Sequence, residues 1–214
     1  MEDKVFLKAL KKVSTELYGV SFDKEAVLIG QRGISIKDGI VSLNDDKFDQ
    51  FNDILFNIDK GGDSFDCRVV TMDPGRVSKS VLQSYGITKG EARVEPGIYR
   101  VKIGTHRGHI AFNQDSDIIV RRDANGDYIW DEKDPVEKGR FAINIHAQGV
   151  GKDFVSQSSL GCTVTKATWT EPGWLDFISH MQFCEKMARK ENPLFSGFIY
   201  IVLNQDIAKN ILGV

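Results

Sequence analysis

Between residues 67 and 146 the sequence breaks into short runs of β-branched and aromatic residues separated by turn formers. They are Cys67–Met72, Gly97–Gly104, His109–Gln114, Asp117–Arg122, Asp127–Trp130 and Phe141–His146. Runs this short cannot supply the three or more turns of a packed helix, whereas their side chains suit a pleated, half-buried surface. An all-helical fold is therefore excluded and a mostly antiparallel sheet system is predicted. Val27–Ile34 and Gly39–Leu43 read as further strands, Phe48–Ile58 as strand or helix, and Phe198–Leu203 as a buried strand.

Two segments carry the helical period instead. Residues 3–18 place Val5, Phe6, Ala9, Leu10, Val13 and Leu17 on one face, with Gly19 as the stop. Residues 172–190 start at Pro172 and present Trp174, Phe177, Ile178, Met181 and Met187. The fold class expected is mainly β (α+β), with flanking helices. Gly61-Gly62-Asp63-Ser64 is the best hinge; the N-terminal helix and short strands before it (1–62) are either a separate domain or part of the same unit as residues 63–214.

The 214 residues, 41% of them hydrophobic, suffice for a substantial core. A net charge of −2, from 28 basic and 30 acidic side chains, gives no wholesale attraction to phosphate backbones, so no nucleic-acid partner is expected. No stretch is apolar for long enough to span a bilayer, which predicts no membrane insertion. The first residues, Met-Glu-Asp-Lys-Val-Phe-Leu-Lys, lack the unbroken apolar core of a secretory signal, so synthesis in the cytoplasm is expected. Three cysteines at 67, 162 and 184 make a disulfide framework improbable and leave at least one thiol free.

Chemistry concentrates in Asn144-Ile-His-Ala-Gln-Gly149 and Ser158-Ser-Leu-Gly-Cys-Thr-Val-Thr165. A histidine at the end of an apolar strand, followed by a cysteine behind a glycine, suits a cysteine acyl-transfer enzyme. Cys162 is the candidate nucleophile and His146 its base. The amides of Gly161 and Cys162 are candidate oxyanion donors. Ser158 and Ser159 are candidates for orienting substrate. The carbonyl of Ala147 and the side chain of Asn144 both remain open as the group that fixes the imidazole tautomer.

These residues resemble the L,D-transpeptidase catalytic domain, the YkuD-like fold. That family has an apolar strand ending in His-Gly, then Ser-His-Gly-Cys, an apolar residue and Arg; here the elements read Ile143-Asn-Ile-His146 and Ser159-Leu-Gly-Cys162. Upstream, Val94-Glu-Pro-Gly-Ile-Tyr-Arg-Val101 is similar to its Thr-Pro-x-Gly-x-Phe/Tyr strand. The likeness is to a divergent type common in phage and gut-bacterial sequences. It extends through Asp73-Pro-Gly75, Gly104–Gly108 and Arg122-Asp123, over roughly residues 65–203, and Ile29-Gly-Gln-Arg-Gly-Ile34 and Asn52-Asp53 extend it weakly into the first sixty.

The resemblance implies a β-sandwich or barrel and a Cys162 thioester formed on peptidoglycan stem peptides. The expected activity is transpeptidase, carboxypeptidase or endopeptidase, without a cofactor, in wall remodelling or in lysis by a phage-encoded or otherwise delivered enzyme. Leu160 replaces the family's second histidine, Val164 its arginine, and Ala147 its glycine or serine. Arg107, Arg121 and Arg122 are then the candidates for holding a substrate carboxylate. His106 is expected near the cleft.

Two alternatives accompany this reading: a non-catalytic peptidoglycan-binding or phage structural module, and a zinc peptidase using His106 and His146. Spacing at i, i+3 in a β-turn is expected to keep His106 and His109 off a common face. Cys67 and Cys184 read as core, and His180 as helix surface. Asp123–Asp131 has oxygen ligands at alternate positions, but Asn125-Gly126 favours a β-turn between two strands over a calcium loop. Trp169 and Trp174 read equally as core, rim or sugar-stacking residues.

Overall fold

The computed structural model describes residues 1–214 as a mainly β α+β protein. In chain order its elements are α1 (Asp3–Tyr18), β1 (Val27–Gln31), β2 (Ile34–Lys37), β3 (Ile40–Leu43), β4 (Asp53–Ile58), β5 (Phe65–Thr71) and α2 (Lys79–Ser84). Then come β6 (Ala92–Val94), β7 (Gly97–His106), β8 (His109–Gln114), β9 (Ile118–Arg122), β10 (Val136–Gly139), β11 (Ile145–Ala147) and β12 (Thr163–Thr165). The chain ends with α3 (Pro172–Glu191), β13 (Phe198–Leu203) and α4 (Gln205–Leu212). No helix is long and apolar enough to cross a membrane.

Eight strands close a barrel in the order β1-β13-β7-β8-β11-β12-β5-β4. Closure is mixed: β1 runs parallel to β13, and β11 parallel to β12, while the other pairs are antiparallel. Strands β1, β4 and β13 are covered on both sides, which explains their nearly unbroken apolar runs, whereas β5, β7 and β8 leave one face partly exposed. Leu28, Leu55, Tyr200 and Val202 face a core shared with Trp174, Phe177 and Met181 of α3. Their sequence neighbours Ile29, Phe56, Ile201 and Leu203 face a second core under Phe6 and Leu10 of α1 and Ala208 of α4. Alternate strand positions thus serve two apolar layers.

The Gly61-Gly62 segment is the tip of the β4–β5 hairpin. A boundary at 62/63 therefore falls within one barrel, whose strands come from both sides of it. The buried stripe of α1 is Phe6, Leu7, Leu10 and Ser14, whereas Val5 and Leu17 are exposed, so the stripe is rotated from the sequence reading. Residues 127–130 form no strand. Asp123 accepts the backbone N–H groups of Gly126, Asp127 and Tyr128, which winds the β9–β10 connection into a long loop instead of a two-residue hairpin. The run Phe141–His146 is strand only from Ile145 onward. Ala142 adopts φ +56°, and the amides of Phe141 and Ile143 donate to Gln114 Oε1 rather than to a neighbouring strand.

Candidate functional site

Parallel pairing of β11 with β12 brings the histidine and cysteine segments together, with Ile145 opposite Thr163 and His146 opposite Val164. Cys162 lies just before β12, and its Sγ accepts the Asn144 N–H at 3.4 Å, two residues before His146. The segment ahead of it is docked by backbone bonds from Gly75 N–H to Ser159 O and from Ala92 N–H to Leu160 O. Gly75 is required because a Cβ there would lie 2.0 Å from Ser156 O. Gly161 is required twice over: its φ is +144°, and a Cβ would come within 2.9 Å of Ala92 and Ile143.

His146, Cys162, Gly161, Ser158, His106 and Arg107 line one cavity of about 330 Å³, with Arg122 at its wall. His146 Nδ1 lies 2.8 Å from Ala147 O, which can only accept, so the imidazole carries its proton on Nδ1. The neighbouring carbonyl, not Asn144, fixes the tautomer. The lone pair is then on Nε2, and the one hydrogen bond made by the ring is that of Nδ1. Asn144 instead bonds His106 Nδ1 at 3.1 Å through its Nδ2 and takes Asn113 Nδ2 on its Oδ1. It positions His106, whose ring stacks on His146 with centroids 4.2 Å apart.

Ser159 does not face the cavity. It is buried, its hydroxyl donates to Cys162 O at 2.8 Å and accepts the Gly161 N–H at 3.1 Å. That bond removes the Gly161 amide from the expected pair of oxyanion donors. The Cys162 N–H has no partner in the fold and remains available.

Of the three arginines, Arg121 is held by Glu95 and by Asp131 O, away from the cavity. Arg122 pairs with Glu137 at 2.9 Å and lies over the Phe141 ring. Arg107 has no acidic partner. It occupies the two-residue β7–β8 turn at φ +50° and donates to the Tyr85 hydroxyl, which makes it the cation available to an incoming anion.

His106 and His109 are directly opposed in the β7–β8 register, so they share a face, contrary to the sequence reading. Both reach Trp169, which stacks on His109 at 4.4 Å and lies 5.9 Å from His146. Trp174 is core. Trp169, read from sequence as core, rim or sugar-stacking, stands beside His146, whereas Tyr85 carried no sequence signal because it arrives from the end of α2, remote in the chain from both motifs. The one cluster of three metal-ligating side chains in the fold involves neither His106 nor His146.

Electrostatics favours a neutral pair at rest. Burial pushes the His146 imidazole down to about 4, against the Ala147 hydrogen bond, with His106 and Arg107 adding to the shift. Burial also raises the Cys162 thiol, opposed by the Asn144 N–H and the Arg107 charge. No hydrogen bond joins Sγ to the imidazole; Sγ is directed instead toward Ala142 O, 3.8 Å away. The thiol and the imidazole thus rest as a neutral pair and not as a preformed ion pair.

The His146 imidazole should accordingly stay a neutral base down to about pH 4, instead of protonating near the 6.5 of an ordinary imidazole. Because the folded value lies below the unfolded one, stability from neutral His146 is complete above pH ~6.5 and is lost as pH falls toward about 4. Imidazole NMR titration gives the same number independently, and a midpoint near 6.5 would refute it.

Compared with known proteins, the chain matches no family model, no curated protein and no solved structure.

Proposed function

We propose that this protein is a cysteine-dependent acyl-transfer enzyme acting on peptidoglycan stem peptides, of the L,D-transpeptidase or L,D-carboxypeptidase/endopeptidase type. The observation that carries the reading is a thiol and an uncommitted neutral imidazole lining one cavity, with the free Cys162 N–H beside them.

In this reading Sγ attacks the carbonyl of the residue that precedes D-alanine, and its proton passes to His146 Nε2. The Cys162 amide supports the developing oxyanion. Collapse breaks the C–N bond, the leaving amine takes the proton from Nε2, and a thioester remains on Cys162. An amine acceptor then gives a cross-link, or water gives trimming. Arg107 pairs with a substrate carboxylate, the role left open by Val164.

A second reading has one observation in its favour. Sγ is hydrogen-bonded to backbone rather than to the imidazole, as in a module that binds wall peptide without turnover. Mass spectrometry of defined tetrapeptide and cross-linked muropeptides, together with the intact protein, separates the two. The enzyme reading expects loss or exchange of D-alanine, or a split cross-link, and an acyl adduct mapped to Cys162. Unchanged muropeptides with no adduct would overturn it in favour of the binding module.

A further inference from the structure

At the edge of the α3 face that packs on the Trp174 core, His180 and Cys184 stand four residues apart, just over one turn of helix, with Cys184 partly buried against that core. They meet Asp59, the first residue after β4 at the base of the Gly61-Gly62 hairpin tip. His180 Nε2 lies 2.6 Å from Asp59 Oδ1 and 3.5 Å from Cys184 Sγ. All three ligand atoms fall within 4.8 Å of one another. A single ring nitrogen faces both partners, so the trio is not a relay in which the imidazole passes a proton from one side to the other.

We infer that Asp59, His180 and Cys184 form a binding site for a divalent transition metal of the zinc type, with its fourth coordination position open to solvent. Zinc–ligand bonds of about 2.0–2.3 Å set tetrahedral edges of roughly 3.3–3.7 Å between ligand atoms. The observed 3.5 Å sulfur–nitrogen separation fits such an edge as it stands. The shorter oxygen–nitrogen contact must open, and Asp59 has freedom to do so because it and His180 are partly exposed. One thiolate, one imidazole and one carboxylate are a borderline-soft donor set, which suits zinc over calcium or magnesium.

A cavity of about 310 Å³ adjoins the trio and gives the fourth position to water or a small anion. On its wall Lys60 is paired with Glu191, and Glu25 is held by Arg100, which leaves the Asp59 carboxylate, with Lys24 across the cavity, as the anion that faces a cation. Burial and the Asp59 charge push the Cys184 thiol up to about 11, which describes the metal-free form; a bound metal displaces that proton. The metal would clamp α3 to the β4–β5 hairpin.

Cobalt(II) is the test probe, because thiolate ligation gives a near-ultraviolet charge-transfer band and a tetrahedral site gives strong visible bands. The full chain should develop both at one equivalent and lose them when zinc is added, since zinc binds such sites more tightly. Cys162→Ala should keep the bands, whereas Cys184→Ser should lose the charge-transfer band. Asp59→Asn, which keeps side-chain shape, should weaken binding at least tenfold. Zinc should also raise the unfolding temperature of the parent chain by several degrees and leave that of Cys184→Ser unchanged. No thiolate band in the parent chain, a band that survives Cys184→Ser, or one lost in Cys162→Ala would each overturn the site. None of these outcomes depends on activity toward the wall.

Discussion

Replacing Cys162 by alanine is expected to lower the release of D-alanine from stem tetrapeptides by roughly 10⁴-fold or more, with little change in stability. The magnitude follows from losing the only atom that can form the acyl intermediate, since groups acting as one catalytic unit fail together when one is removed. His146→Ala should cost nearly as much, and the double variant little more than either. The fold should survive because Sγ makes only weak contacts, to Asn144 N–H at 3.4 Å and toward Ala142 O at 3.8 Å. Leaving the Asn144 amide unpaired costs about 1 kcal/mol. Cys162→Ser preserves shape but substitutes a hydroxyl that a base held down to about 4 cannot activate well, so it should also be inactive. A loss smaller than tenfold in Cys162→Ala would remove the thiol from the chemistry.

Arg32→Met is expected to destabilise the protein by about 3–5 kcal/mol, the cost of removing one partner of a buried ion pair. Arg32 is 2% exposed and donates to Asp73 Oδ1, Met72 O and Val94 O. Arg93 completes the arrangement with two bonds to Asp73 and one to Asp46. Asp53, with no exposure, accepts the amides of Gly33 and Met72. Two guanidinium groups thus face three carboxyls in a water-poor setting, and burial together with the Asp73 charge pushes Asp53 up to about 7.

Methionine fills most of the volume but strands two carbonyls and leaves Asp73 with Arg93 alone. A loss of that size is a large share of the ~5–15 kcal/mol that holds a domain together. Urea unfolding measures it, and a midpoint unchanged from the parent chain would show that the network contributes nothing net.

Legibility in the sequence followed the range of the interactions. Strands β7, β8 and β13 and helices α1 and α3 could be read from local periodicity, because each buries a face that its own spacing defines. Barrel closure could not, since pairing Val27 with Ile199 is a relation across nearly the whole chain. At the site, Cys162, His146 and His106 were readable from local motifs, and the structure gathers them around one cavity. The division of labour among neighbours was not. Asn144 went to His106 and Arg121 was claimed by Glu95, each decided by a partner distant in sequence, while Ser159 turned inward onto the backbone of its own loop at Gly161 and Cys162. Arg32 stood in a glycine-flanked pattern that carried no hint of burial, because its acceptors lie 40 to 62 residues away.

The parallel pairing of β1 with β13 also sets a timetable. β13 sits between β1 and β7 in the closed ring, so the first strand made has no parallel partner until residue 203 has left the ribosome. Contacts of such long range pay their loop-closure entropy before they return any stability, which makes folding slow and late. A chain still being synthesised can pair β11 with β12, yet the ring around that pair stays open between β1 and β7 until its last strand arrives.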